Sequence, residues 1–378
     1  MTRHPRVSGP ATLAARRALR TALADLPPGT RVLVACSGGP DSLALAVTVA
    51  HLVPEAGWVA EALVVDHGLR AGSAGEASDV VARLRAVGLA ASATSVDAGS
   101  GTGGPEARAR DARWAALRAR AAAPGGAAAP EDTAVILTGH TMDDQAETVL
   151  LGLARGSGAR SLAGMRAVEP GVRRPFLTIR RAQTLAVCDE LGLTPVIDPT
   201  NAADGPWRAA DGTALRRAAV RDRALPALAD ALGADPVPAL ARTAFQARRD
   251  DDALTERADA LLADALLDDA RRSRAATRAT DDDGPASSSD PVMTLDTAVL
   301  AAAHPAVRTR ALRAAGERAG WRPGDVKAAH LEALDALVTR YTGQGPAALP
   351  GGVLARRCCG RLMLSRRTDQ GDEGATWT

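Results

Sequence analysis

Four short apolar runs alternate with helix-length segments between residues 31 and 154 of the chain. The runs span 31–36, 59–66, 91–96 and 134–138, and the helical segments span 41–52, 74–88, 105–122 and 143–154. Apolar strands that alternate with helices are typical of a parallel sheet covered on both faces. We therefore predict an α/β fold with a doubly wound, mostly parallel, Rossmann-like sheet. In such sheets ligands bind beyond the carboxyl ends of the strands.

The chain changes character after about residue 213. Segments rich in Ala, Arg, Leu and Asp predict helices at 213–232, 237–272, 305–319 and 326–341. A length of 378 residues exceeds one comfortable core and indicates at least two domains. We predict a catalytic domain over 1–232 and a smaller, mainly helical domain over 233–378. The Asp- and Ser-rich stretch 281–291 is predicted to be a disordered insert.

Composition excludes several classes of protein. The four cysteines contain no C-x-x-C pair, which argues against a zinc ribbon or an iron–sulfur cluster. No apolar run reaches the roughly 18 residues that a membrane span needs, and the amino terminus lacks a signal-peptide apolar region. These features predict a cytoplasmic protein with no membrane partner. Because the net charge is only +2, a nucleic-acid site is expected to be a local basic patch.

A glycine-containing turn follows the first predicted strand and precedes a helix. It consists of Ser37, Gly38, Gly39, Pro40, Asp41 and Ser42. The glycines allow positive φ and close approach of a phosphate, and the helix amino terminus supplies free N–H donors. Asp41 is suited to hold Mg²⁺ against phosphate oxygens. The turn is no Walker A loop, which needs Gly-Lys-Ser/Thr. The alternative is an ordinary helix cap after a glycine turn.

A second polar cluster follows the fourth strand and contains His140, Asp143, Asp144 and Glu147. Asp143 and Glu147 are four residues apart, so they share one face of the first helical turns. Carboxylates facing a polyphosphate need a cation, which favours Mg²⁺. The same groups suit a substrate ammonium or proton transfer, and Asp144-x-x-Glu147 is also a capping-box pattern. Asp66 and His67, after the second strand, are expected to contact nucleotide or to cap the next segment.

Together these motifs resemble the tRNA(Ile)-lysidine synthetases, which are PP-loop ATP pyrophosphatases. The resemblance rests on Ser-Gly-Gly-Pro-Asp-Ser at 37–42, Val-Asp-His-Gly-Leu-Arg at 65–70 and Gly-His-Thr-Met-Asp-Asp-Gln-Ala-Glu-Thr at 139–148. Glu106 to Trp114, Asp198 to Asn201, and Arg217 and Arg221 before Leu225-Pro226 follow in the same order. It covers roughly residues 28–230 strongly and the remainder loosely. It implies the short form of the family, without the larger extra carboxyl-terminal domain.

The resemblance implies a definite reaction. ATP adenylates C2 of the wobble cytidine in an isoleucine tRNA with a CAU anticodon, pyrophosphate leaves, and free L-lysine attacks C2 to give lysidine. Asp41 and Asp143 would hold Mg²⁺, and a remaining carboxylate would receive the lysine ammonium. Arg110, Arg113, Arg217 and Arg221 are candidates for RNA contacts, with solvated helix arginines as the alternative. Family precedent also implies a homodimer.

The chain departs from the family pattern in a few places. Thr141 stands where a second histidine is common, and Ala218 and Ala219 replace Asn and Arg. The basic tail 351–367 suits either a strand pair that touches RNA or a solvated edge protected by charge. Two other functions stay open: a PP-loop tRNA thiolase or amidating ATP pyrophosphatase, and an RNA-binding protein with a decayed active site. Thiolases of this kind usually carry cysteines for sulfur transfer, which the missing C-x-x-C disfavours.

Overall fold

The computed structural model describes residues 9–68, 72–97, 105–123, 133–156, 158–197, 202–205, 212–267, 292–321 and 325–366. The chain divides into two compact units, Met1–Arg248 and Arg249–Thr378. This division lies beyond the boundary expected near residue 232, because Val237 clusters with Ala146 and Leu225 of the first unit. The predicted insert 281–291 lies outside the described residues.

The first unit confirms the predicted α/β fold. Its elements are α1 (Pro10–Ala22), β1 (Arg31–Cys36), α2 (Pro40–Ala56), β2 (Val59–Asp66), α3 (Ser73–Ala86), β3 (Ala90–Ser95), α4 (Pro105–Ala122), β4 (Val135–Thr138), α5 (Met142–Ala154), α6 (Gly158–Leu162), β5 (Val168–Glu169), β6 (Val172–Arg173), α7 (Arg181–Glu190), α8 (Arg216–Ala219) and α9 (Leu225–Leu232). A 3-10 turn at Pro175–Thr178 precedes α7, and a π-helical turn at Val220–Ala224 joins α8 to α9. The next helix, α10 (Val237–Ala265), spans the division between the units.

The six strands of this sheet are ordered β3-β2-β1-β4-β6-β5. β1 pairs in parallel with both β2 and β4, and only the short β5 runs antiparallel to its neighbour β6. The chain builds the sheet outward from β1 to β3 and then returns to the other side of β1 with β4. The carboxyl ends of β1 and β4 therefore flank the switch point, where doubly wound sheets bind ligands.

Both faces of the sheet are covered. Val32 and Val34 of β1 enter the larger core, which α1, α2, α3 and α7 complete, whereas Leu33 enters a smaller core with Leu117 of α4. Helix α1 is tied to the far end of α7: Glu190 accepts hydrogen bonds from the backbone N–H groups of Ala11 and Thr12 at 3.0 and 2.9 Å. This carboxylate satisfies N–H donors at the start of α1 that have no partner within the helix.

The second unit combines helices with a four-stranded antiparallel sheet. Its further elements are β7 (Met293–Asp296), α11 (Thr297–Ala302), α12 (Pro305–Ala319), α13 (Ala328–Thr339), β8 (Ala347–Leu349), β9 (Val353–Cys358) and β10 (Arg361–Arg366), with sheet order β7-β10-β9-β8. β9 and β10 form a hairpin, so the strand pair within 351–367 is confirmed. Among the described residues no helix has the length and apolar character needed to cross a membrane.

Candidate active site

The turn between β1 and α2 forms the first part of the site. Gly38 has a φ of +79°, and a Cβ there would lie 2.6 Å from Val80 Cγ2, so this position needs glycine. Gly39 has an ordinary φ of −67° and is the N-cap of α2. Of the two glycines, only Gly38 therefore uses the expected positive φ. Pro40 follows at the first helical position, where its missing N–H costs no helical bond.

The Ser42 hydroxyl holds this turn together from inside. It accepts from the Ser37 backbone N–H at 3.1 Å and donates to the Gly39 carbonyl at 3.0 Å. Its oxygen also lies 3.2 Å from Ser37 Oγ. Because Ser42 is buried, it fixes the shape of the turn, and Ser37 is the more exposed hydroxyl of the pair.

The end of β4 touches the same turn. An added Cβ at Gly139 would lie 2.9 Å from the Asp41 carbonyl carbon and oxygen and 3.0 Å from the Ser42 nitrogen. Real Cβ atoms essentially never come closer than 3.0 Å to a heavy atom. The absence of a side chain at Gly139 thus lets β4 deliver the His140–Glu147 cluster directly beside the phosphate loop.

Thr141 caps α5 and replaces the capping pattern expected at Asp144-x-x-Glu147. The Thr141 hydroxyl accepts from the Asp144 backbone N–H at 3.4 Å, and Asp144 Oδ2 accepts from the Thr141 backbone N–H at 2.8 Å. This reciprocal pair is a capping box. The helix consequently starts at Met142, and Asp144 and Glu147 lie on the side of α5 that faces Asp41.

Three carboxylates converge on the guanidinium group of Arg181. Nε lies 3.2 Å from Asp41 Oδ2, Nη2 lies 2.8 Å from Asp144 Oδ1, and Nη1 lies 3.2 Å from Glu147 Oε1. We call Asp41, Asp144 and Glu147 the carboxylate cluster. The Glu147 side chain is completely buried, and it also accepts from Arg221 Nε at 2.7 Å. Each member is thus charge-paired despite its burial.

The pKa values reflect this pairing. Burial raises the pKa of Asp41, and the negative charge of Asp144 raises it further. The hydrogen bond from the Thr184 hydroxyl and the charge of Arg181 lower it, but they do not outweigh the burial. For Asp144 burial acts in the same direction, but Arg181 and the Thr141 backbone N–H outweigh it and lower the pKa. The carboxylates in turn raise the pKa of Arg181 despite its burial, so this side chain stays charged.

Asp143 lies next to the carboxylate cluster but faces a different partner. Its two oxygens each lie 3.1 Å from a nitrogen of Arg180, and Oδ2 also accepts from the Arg181 backbone N–H at 2.8 Å. Asp143 thereby anchors the start of α7. The predicted common face of Asp143 and Glu147 does not bring them to one cation, because Glu147 contacts Arg181 and Arg221.

His140 lies at the end of β4, between the acidic and the basic parts of the site. Its Nδ1 is 2.8 Å from the Thr138 hydroxyl. Burial lowers the pKa of His140 to about 4, and Arg174 and Arg113 lower it while Asp144 opposes them. The imidazole is therefore neutral at pH 7, when it can act as a hydrogen-bond partner rather than as a cation.

A group of basic side chains lies on the other side of His140. Burial and the nearby charges of Arg110 and Arg217 lower the pKa of Arg113. Burial and Arg113 likewise lower the pKa of His67, against the charge of Asp66. Within the described part of the chain, Arg113 Nε and His67 Nδ1 are buried without a hydrogen-bond partner. Clustered like charges and unpaired donors suit an anionic ligand.

The predicted arginines thus divide between the two parts of the site. Arg110, Arg113 and Arg217 approach one another, and Arg217 Nη2 donates to the Thr148 hydroxyl at 3.0 Å. Arg221 instead pairs with Glu147 from the π-helical turn. Asp66 accepts from the Gly68 backbone N–H at 2.9 Å, which is the local turn contact expected of its capping alternative. The motif at 198–201 lies outside the described residues.

Sequence reasoning missed Arg180, Arg181 and Thr184, although a signal was present. Two consecutive arginines at the start of a helix oppose the helix dipole, which makes such an arrangement unfavourable without nearby carboxylates. That conflict was the available indication that α7 starts beside an acidic cluster. Thr184, one turn later, donates its hydroxyl to Asp41 Oδ1.

The carboxylates do not form a protein cage for a metal ion. In the described ranges no group of three or more His, Cys, Asp or Glu side chains has the geometry to hold one. Arg180 and Arg181 occupy the oxygens of Asp143. The donor set still fits Mg²⁺ carried by phosphates, since Mg²⁺ commonly takes one or two carboxylates plus phosphate oxygens. Of these carboxylates, Asp41 is the one that lies in the phosphate loop.

Comparisons with known proteins match both units. The family model of the PP-loop domain matches residues 12–228, and that of the TilS substrate binding domain matches residues 295–363. The tRNA(Ile)-lysidine synthase of Salinispora tropica is 45% identical over 358 residues, covering 93% of this chain and 96% of that protein. The tRNA(Ile)-lysidine synthase of Salinispora arenicola is 44% identical over 360 residues, covering 94% of this chain and 96% of that protein. The tRNA(Ile)-lysidine synthase of Streptomyces coelicolor is 47% identical over 343 residues, covering 90% of this chain and 86% of that protein.

Proposed function

This chain belongs to the tRNA(Ile)-lysidine synthase family, and we propose that it is the ATP-dependent ligase that forms lysidine. The substrates are ATP, L-lysine and an isoleucine tRNA with a CAU anticodon. The O2 oxygen at C2 of the wobble cytidine attacks the α-phosphate, and pyrophosphate leaves. The lysine ε-amine then replaces the adenylate at C2. The observation that carries this proposal is the meeting of the phosphate loop, carboxylate cluster and basic group at the switch point of the sheet.

The phosphate loop is suited to the departing pyrophosphate. The amino terminus of α2 directs N–H donors and partial positive charge toward an anion, and Gly38 lets it approach the main chain. Asp41 would contact Mg²⁺ that arrives with the ATP phosphates. When bound, Mg²⁺ offsets negative charge on the phosphates. Asp143, the second carboxylate of the metal role predicted from sequence, bonds to Arg180 and to the α7 backbone, and Asp41 bonds to Arg181 and Thr184. Mg²⁺ would therefore replace an existing contact at either carboxylate, and Asp41 is preferred because it lies in the phosphate loop.

The carboxylate cluster is suited to the lysine ammonium group. Asp144 and Glu147 are buried carboxylates at the edge of the loop, and an ammonium offers three donors to such acceptors. Neutral His140, between the cluster and the basic group, is placed to accept a hydrogen bond from the attacking amine. Its low pKa makes it a weak base, so its contribution is positioning a hydrogen bond more than storing a proton.

The basic group is suited to the RNA and to the charge that develops at the α-phosphate. Arg113 and His67 have buried nitrogen atoms without partners in the described structure, and Arg110 and Arg217 bring further positive charge. Phosphate oxygens and the acceptor atoms of the cytosine edge would accept hydrogen bonds from these donors. We also propose a cytoplasmic location, since the proposed substrate is a tRNA. The homodimer stays a prediction, which light scattering of the purified protein tests.

The alternative functions lack comparable support. Cys36, which directly precedes the phosphate loop, and Cys188, whose Sγ lies 3.7 Å from the Pro40 carbonyl, are both buried. Burial raises the pKa of both thiols, which disfavours the thiolate that sulfur transfer needs. An RNA-binding protein with a decayed site would not be expected to keep three charge-paired carboxylates beside an intact phosphate loop. The family relatives that match over nearly the whole chain are named lysidine synthases.

Mass analysis of the wobble nucleoside tests the proposal directly. After incubation of the tRNA transcript with ATP, Mg²⁺ and lysine, we expect lysidine and equimolar pyrophosphate. No lysidine should form when one substrate is omitted, and without lysine pyrophosphate release should stop after the adenylation of the tRNA. Asp41→Ala should abolish turnover and leave tRNA affinity nearly unchanged, whereas Asp25→Ala, in an exposed ion pair, should retain activity. Repeated turnover of pyrophosphate with a sulfur donor but without lysine, together with a thiolated nucleoside, would support the thiolase. Salt-sensitive tRNA binding without any release would support the binding protein.

A further inference from the structure

The position of Arg181 has a consequence for which cations the carboxylate cluster accepts. Its three nitrogen atoms each reach a different carboxylate, at 3.2, 2.8 and 3.2 Å. These carboxylates come from the starts of α2 and α5. A lysine side chain carries one nitrogen atom and no planar fork, so it does not reproduce this arrangement.

The charges in the cluster can be counted. Asp41, Asp144 and Glu147 contribute three negative charges, and the guanidinium groups of Arg181 and Arg221 contribute two positive ones. One negative charge remains, which matches one ammonium group. Next to the cluster, Arg180 pairs with both Asp143 and Asp235, and none of these three side chains is among the groups counted. His140 is neutral at pH 7 and adds no charge.

Without Arg181 the balance would differ. Two uncompensated negative charges would face one another in a site where Glu147 is completely buried and Asp144 nearly so. Such a site attracts a divalent cation, because Mg²⁺ and Ca²⁺ prefer carboxylate oxygens and supply two charges. Because ATP is used together with Mg²⁺, free Mg²⁺ would compete with the lysine ammonium for these carboxylates.

We propose that Arg181 is a built-in counter-ion that reserves Asp144 and Glu147 for an ammonium group and keeps free divalent cations out of the carboxylate cluster, so that Asp41 meets Mg²⁺ only when ATP carries it. This inference rests on the proposed function, since that function supplies the ammonium of lysine. Arg181 is a positioning and specificity residue: it contacts the carboxylates, and it is anchored from behind because its backbone N–H donates to Asp143 at 2.8 Å. The guanidinium is therefore present before any substrate arrives.

Calorimetric titration of Mg²⁺ into the free protein, without ATP, tests the proposal. Wild type should show no saturable binding in the low millimolar range, whereas Arg181→Gln should bind Mg²⁺ about tenfold tighter or more. Arg181→Lys keeps the charge and should still exclude Mg²⁺. The double variant Arg181→Gln with Asp144→Asn restores one net negative charge and should lose the gained binding. Arg16→Gln is the matched control, because it removes an arginine of α1 that pairs with Glu55 of α2.

Kinetics provide a second readout. Excess free Mg²⁺ should raise the KM for lysine in Arg181→Gln and leave it unchanged in wild type and in Arg16→Gln. Should Arg181→Gln fail to fold, Arg221→Gln carries the same test, because it also leaves two net negative charges. Folded charge-removing variants that bind Mg²⁺ no tighter than wild type would overturn the proposal. A wild type that makes no lysidine would overturn the proposed function, while the Mg²⁺ titration would still decide the role of Arg181.

Discussion

Gly139→Ala tests whether close contact between β4 and the phosphate loop is needed for turnover. The new Cβ would lie 2.9 Å from the carbonyl carbon and oxygen of Asp41, whereas ordinary contacts begin at 3.4 Å. The loop or the strand must therefore move by about 0.5 Å (3.4 − 2.9). Both contacting groups are backbone, so no side-chain rotation relieves the overlap.

The size of the effect follows from this displacement. A misplacement of 1 Å can reduce catalysis about 100-fold, so a shift of about 0.5 Å should lower kcat on the order of tenfold. Overpacking costs about 1–3 kcal/mol, which corresponds to a fall in Tm of roughly 4–8 °C for about 2 kcal/mol in a unit of this size. Pyrophosphate release with ATP, lysine and tRNA measures the first effect, and thermal unfolding measures the second.

Gly75→Ala is the matched control. Gly75 is exposed in α3, and an added Cβ there has no heavy atom within 4 Å. Since alanine favours helix by about 1 kcal/mol, Tm should stay constant or rise, and kcat should not change. Wild-type kcat and Tm in Gly139→Ala would refute the argument that the missing side chain sets the distance between the loop and the cluster.

Three further predictions concern other parts of the molecule. Folding lowers the pKa of His140 to about 4, so protonation of the unfolded chain lowers the free energy of unfolding as pH falls from 6.5 toward 4. Denaturant titrations should show that this free energy falls by up to about 3 kcal/mol more in wild type than in His140→Gln over this window. Parallel curves for the two proteins would contradict the prediction. Arg217→Ala should raise the KM for tRNA and reduce the salt dependence of binding by about one ion, as filter binding measures; a change in the ATP requirement alone would show that Arg217 has another role. Gly316→Ala would place a Cβ 2.5 Å from the buried Trp321 ring, so thermal unfolding should show a loss of about 1–3 kcal/mol, and an unchanged Tm would contradict the packing.

The sheet was predictable because its signals are local. The apolar runs of β1 and β2 coincide with the strands Arg31–Cys36 and Val59–Asp66, and each is followed by a polar turn that ends it. Strand polarity and order then bring the ends of β1 and β4 together. The phosphate loop and the residues after β4 could therefore be placed in one site from sequence alone.

The partners within the site were not predictable in the same way. Arg181 lies 140 positions beyond Asp41 in the chain, and no local pattern records that contact. Sequence reasoning required a cation beside the carboxylates and favoured Mg²⁺, with a substrate ammonium as an alternative. It did not anticipate the guanidinium that the structure places beside them. The separate orientation of Asp143 depends on the helix start that Thr141 sets, and a single threonine does not specify that start without its tertiary context.

The hydrogen bonds between Glu190 of α7 and the start of α1 connect α1 to the carboxylate cluster, which lies at the other end of α7. Glu190 holds the last turn of that helix against Ala11 and Thr12, while the first turn presents Arg181 to the carboxylates. Because α7 is a continuous helix, fixing its last turn also fixes the position of its first turn. Trimming the chain into α1 should therefore misdirect a guanidinium some nine residues away along α7, even though α1 itself supplies none of the candidate substrate contacts.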